Sequence, residues 1–139
     1  MLKRSMIQLA LMLMVIFLVV LIFKFIEPVK VAALVAGILF LLIGVGICYS
    51  EKKWGRGFRS PAFWTAMVFL LVFVLPIFGL RLLNWHSDFA DLSVAGIKAQ
   101  SLHELSSRCY TLLMATIVYE GLRPLVISRF MTQKATSKK

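Results

Sequence analysis

Glu120 and Arg123 stand three residues apart in the stretch IVYEGLRPL, and in a helix that spacing puts a carboxylate and a guanidinium on one face. A membrane helix from about Cys109 to Phe130 would hold Glu120 near the bilayer centre. An ionised side chain there costs about 2.5–3.5 kcal/mol on insertion scales and calls for a partner. Arg123 supplies one, and Pro124, which clashes with the carbonyl four residues back, frees a further acceptor at position 120. Such a pair suits an intramembrane proton or ion relay. The plainer reading is a static pair, or a tie to a partner subunit's helix.

Other reactive types are present without the spacing their chemistry needs. His86, Asp88, Asp91, His103 and Glu104 are metal-capable, but their irregular intervals match no ligand pattern of the kind zinc sites use. Cys48 and Cys109 form no metal or redox motif. The expectation is that they lie at opposite membrane faces, too far apart to bond. No Gly-x-Ser-x-Gly, HExxH or phosphate-binding glycine loop occurs, and Gly55-x-Gly57 is a flexible turn. The chain therefore carries no expected catalytic residue, metal site or cofactor.

Charge points the same way. The net charge is +10, yet the Lys and Arg residues fall between and after apolar runs instead of clustering on one polar face. That is membrane topology, not a nucleic-acid footprint. In SEKKWGRGFRS, Lys52, Lys53, Arg56 and Arg59 alternate with Trp54 and Phe58. Eleven residues between two apolar runs read as an interfacial loop in contact with anionic lipid head groups.

The elements that must position these residues are apolar throughout. The chain of 139 residues is 60% hydrophobic, with a mean hydropathy of +0.90. It leaves no room for a separate soluble domain, so residues 1–139 read as one integral membrane domain. Met6 to Phe23 carries Gln8 as its only polar side chain, and eighteen residues at helical rise reach about 27 Å, close to the hydrocarbon thickness. Lys3 and Arg4 before this run imitate a secretory leader, but no small-residue cleavage site follows, which predicts an uncleaved anchor.

Pro28 closes the first run, and a linker this short forces an antiparallel hairpin with the second, Val31 to Tyr49. Within it Ala33, Gly37, Gly44 and Cys48 recur at intervals of four, seven and four, a small-residue stripe for close helix packing. Ser60-Pro61 is a cap followed by a first-turn proline, opening a third run to Leu80 that Pro76 should bend. Arg81 to Arg108 reads as a polar connection with a short helix lying in the interface, and Ser101-Leu102-His103-Glu104 as a capping box that starts the last helix at Leu102.

The last run is clean only from Cys109 to Tyr119, so charge placement decides whether it crosses. With four crossings, Lys3, Arg4, the four basic residues of the second loop and Arg129, Lys134, Lys138 and Lys139 make ten on one side. Lys24, Lys30, Arg81, Lys98 and Arg108 make five on the other, so both termini should be cytoplasmic. Three crossings from the same start would put ten outside against six within.

The resulting expectation is an all-α polytopic bundle of four transmembrane helices (about 6–26, 31–49, 61–80 and 109–130), with an interfacial segment between the third and fourth. It is expected in a cell's inner (plasma) membrane as a non-enzymatic subunit that packs into, or helps assemble, a larger complex with other membrane subunits or itself. The competing expectation is a small oligomeric transporter or channel that uses Glu120 and Arg123.

Overall fold

The apolar runs fold as helices because lipid offers backbone groups no partner outside the segment itself. The computed structural model describes residues 2–136; Lys138 and Lys139, counted above with the basic tail, lie outside the described residues. Four helices follow one another: α1 (Leu2–Phe25), α2 (Val29–Trp54), α3 (Pro61–Leu83) and α4 (Ala99–Thr136). The first three are long and apolar enough to cross a membrane, and the protein is an all-α membrane bundle. α4 is longer, at 38 residues, but too polar to join them by composition.

Each helix lies beside the next, and α4 returns to lie against α1. The bundle therefore has a near end, holding Arg4, Trp54, Pro61 and Glu120, and a far end, holding Phe25, Lys30, Leu83 and Ala99. Its core runs through the middle: Met12, Ile47, Ala66, Phe69, Leu113 and Ile117 are buried together. Beside them, the rings of Phe40, Phe69 and Tyr110 meet mutually at 5.3–6.1 Å between centroids, two of the three contacts edge-on.

Local chemistry explains the boundaries. Ser60 accepts a hydrogen bond from the Phe63 amide at 3.4 Å, capping α3 with Pro61 in its first turn as the sequence predicts. Where Pro76 was expected to bend the third run, the preceding Phe69–Val74 winds as a π-helix. A wider turn absorbs the proline's missing donor and its clash with the carbonyl four residues back.

Several expectations are corrected. α2 extends past Tyr49 to Trp54, because Glu51 is buried and paired instead of starting a loop. Between α3 and α4 there is no amphipathic helix: a single 3-10 turn (Phe89–Asp91) precedes a hairpin of β1 (Ser93–Val94) and β2 (Ile97–Lys98). Its two-residue turn holds Ala95 at φ 50° and Gly96 at φ 82°, the paired left-handed geometry that matches strand twist. β2 leads straight into α4, whose first amide, Ala99, donates to the Leu92 carbonyl at 2.8 Å, so Ser101 lies inside the helix and caps nothing. α4 starts three turns before Cys109, which places that thiol within the helix and not at its start. It and Cys48 are both free and half-buried against the same central core.

Candidate functional site

The near end gathers polar side chains from three helices. Arg4 Nη2 lies 3.0 Å from Glu51 Oε1, and the carboxylate is 1% exposed. Gln8 Nε2 donates to the same oxygen at 3.1 Å and to Ser50 Oγ at 3.1 Å. Gly55 lets the chain leave α2 directly over this pair: a Cβ there would sit 2.5 Å from Glu51 Oε2 and 2.7 Å from Arg4 Nη1. Gln8 thus owes its place in an otherwise apolar run to Glu51.

Glu120, also 1% exposed, meets Arg56 Nη1 at 3.5 Å. Here two expectations change. The carboxylate's partner is Arg56 from the α2–α3 connection, not Arg123, which is only half-buried one turn further on. Nor does Glu120 sit at the middle of the bundle. Its neighbour Gly121 packs against Ser5, with a Cβ there only 2.9 Å from the Ser5 Cβ, so Glu120 is level with the first turns of α1. The physical reason is the early start of α4, which brings residue 110, not 120, to the centre.

Two carboxylates and two guanidiniums make this cluster neutral, as a buried charge set must nearly be. Its hydrogen bonding is incomplete. Among the described side chains, Arg4 Nε and Nη1, Ser5 Oγ, Gln8 Oε1 and both Glu120 oxygens are buried without a hydrogen-bond partner. The arrangement can latch α1, α2 and α4 together, or exchange a proton at Glu120.

The remaining sequence-picked residues fall in two places. Ala33 is buried, and Gly37 and Gly44 face α3: a Cβ would come within 2.7 Å of Phe78 at the first and 2.5 Å of Leu70 at the second. Cys48 packs half-buried beside the core. In the basic loop, Lys52, Lys53 and Arg59 are exposed, and Lys53 lies over the Tyr49 and Trp54 rings at 5.4 and 5.0 Å. Arg56 turns inward to Glu120.

Sequence reading missed Arg4, Gln8 and Glu51 as one unit. The signal was the lone glutamine one turn from the basic head of the first run, with the only acid of the second loop directly after an uncharged run. It also missed the outer face of α4. Glu104, Arg108, Leu112, Ala115 and Tyr119 recur at helical spacing and are all exposed. Arg108 lies only about 3 Å along the axis from Tyr110, whose hydroxyl donates to the Met12 carbonyl at mid-length of α1. Among the described residues Arg108 makes no ion pair. No protein-family model, curated protein or solved structure matches the chain.

Proposed function

We propose that the chain is a non-enzymatic integral membrane subunit that packs into, or helps assemble, a larger membrane complex. In this reading α4 is a fourth crossing, both termini are cytoplasmic, and the membrane is a cell's inner (plasma) membrane. The carrying observation is Arg108, an exposed arginine whose backbone position is level with the middle of α1. Facing lipid at that depth it would cost about 2.5–3.5 kcal/mol or more, so a crossing α4 needs this face covered by another polar helix.

Glu104 and Arg108 stand one turn apart on that face, so the complementary surface carries the opposite order of charge. A different subunit can supply it, whereas a second copy of the same topology, related by a two-fold axis along the membrane normal, would set like charges at the same depth. The charge bias favours the same topology, because Arg123, lying past Glu120 at the near end, adds to the ten basic residues already assigned to the cytoplasmic side. Exposed Lys52, Lys53 and Arg59 would rest on anionic head groups there.

Purification from native membranes in mild detergent tests this reading. The tagged protein should elute as a complex, and Arg108→Leu should release most of the partner. A monomer that co-purifies with no protein and is unchanged by Arg108→Leu would refute it.

A second reading, a small oligomeric transporter or channel, draws on Glu120, whose two buried oxygens have no hydrogen-bond donor among the described residues. It requires flux in liposomes that Glu120→Gln abolishes, through Arg56 and not Arg123 as the companion charge.

A further inference from the structure

α1 and α4 touch along the near half of the bundle, at Ser5–Gly121 and Met12–Tyr110, and part along the far half. The gap is a cavity of about 370 Å³. Its walls are apolar, with Val20, Phe23, Phe40, Val74, Ile77 and Phe78 among them, and Tyr110 lies where the helices close again. The mouth opens sideways: Val20 on α1 is 61% exposed, and Ser107 and Thr111 on α4 are exposed opposite it.

The far end of this cavity is polar and basic. Arg81 and His103 line it there, and Arg81 also borders a second chamber of about 50 Å³ together with Lys30, Asn84 and Ser87. Among the described residues Arg81 has no carboxylate partner; its guanidinium stacks 4.2 Å from the centre of the Phe89 ring. Lys30 Nζ donates to the Trp85 carbonyl at 3.1 Å and likewise has no carboxylate. Two cations, an amide and a hydroxyl around a small chamber make a site for an anion, at the end of an apolar cavity that opens toward lipid.

We propose that this cleft binds one single-chain amphiphile, with its hydrocarbon chain between α1 and α4 and an anionic head, carboxylate or phosphate, at Arg81. A cavity near the low end of the roughly 300–1,000 Å³ typical of small-molecule sites admits one chain, whereas a second chain or a partner helix does not fit. The guanidinium suits either head, because it offers paired donors in a plane.

The test uses the full chain in nanodiscs of neutral phosphatidylcholine, with radiolabelled palmitate, palmitoyl lysophosphatidate and hexadecanol as probes. At least one anionic probe should bind saturably and at least tenfold more tightly than hexadecanol. Preference for palmitate identifies a carboxylate head, and preference for lysophosphatidate a phosphate head. Arg81→Gln should weaken the anion tenfold or more, Arg81→Lys, which keeps the charge but not the planar pair of donors, should weaken it less than Arg81→Gln, and Val20→Trp at the exposed mouth should weaken all three probes. Hexadecanol binding as tightly as both anions, undiminished binding in Val20→Trp or Arg81→Gln, or no saturable binding of any probe would overturn the proposal.

Discussion

The Tyr110 hydroxyl donates to the Met12 carbonyl across 2.9 Å, in a buried contact between residues ninety-eight positions apart. That carbonyl already belongs to the helical ladder of α1, and its second lone pair accepts the phenol. One hydrogen bond thus registers the polar fourth helix against the most apolar one. Tyr110→Phe should lower stability by about 0.5–1.5 kcal/mol, read by denaturant unfolding in mixed micelles. An unchanged midpoint would mean the contact does not hold α4 in place.

The Arg4–Glu51 pair should behave as a buried ion pair. Removing either partner leaves the other charge uncompensated, so Arg4→Met or Glu51→Leu alone should cost about 3–5 kcal/mol, and the double variant much less than the sum. Additive losses in a double-mutant cycle would show that the two side chains do not interact.

At Glu120 the expected losses are unequal. Arg56 is 29% exposed and Glu120 1%, so an unpaired Arg56 can hydrate while an unpaired Glu120 cannot. Arg56→Gln should therefore destabilise more than Glu120→Gln, and adding Glu120→Gln to Arg56→Gln should restore stability. Thermal scans of the three variants check this, and Arg123→Gln should have little effect on the same scale.

The α2 glycines separate close packing from helix propensity. Gly44→Ala places a methyl 2.5 Å from the Leu70 side chain and should cost about 1–3 kcal/mol by overpacking, partly recovered by Leu70→Ala. Gly46, with nothing within 4 Å of its Cβ position, should gain up to about 1 kcal/mol on substitution by Ala. Equal responses at the two sites would contradict the α2–α3 contact described here.

What was legible in the sequence divides along physical lines. Uninterrupted apolar runs announce α1, α2 and α3, since only helix length and hydropathy are needed, and Ser60-Pro61 marks the start of α3 because a cap is a local motif. Tertiary choices were not legible. The i, i+3 rule selects Arg123 for Glu120, but Arg56 arrives from another loop at the right level. Glu51 reads as part of a loop that begins at Ser50 until Arg4 and Gln8 are seen beside it. Ala95-Gly96 carries only a weak turn signal, since alanine seldom adopts positive φ. The α1–α4 cleft depends on how two helices diverge, which no periodicity in either helix encodes.

Membrane topology is the most direct test of the central claim that α4 is a fourth, polar crossing. With Cys48 and Cys109 replaced by Ala, single cysteines would be introduced by Lys3→Cys, Asp88→Cys and Lys139→Cys, and intact cells treated with a membrane-impermeant maleimide. The account predicts labelling at position 88 in intact cells, and at positions 3 and 139 only after permeabilisation. Labelling of positions 88 and 139 together, with position 3 protected, would contradict it and remove the case for a covered Arg108 face.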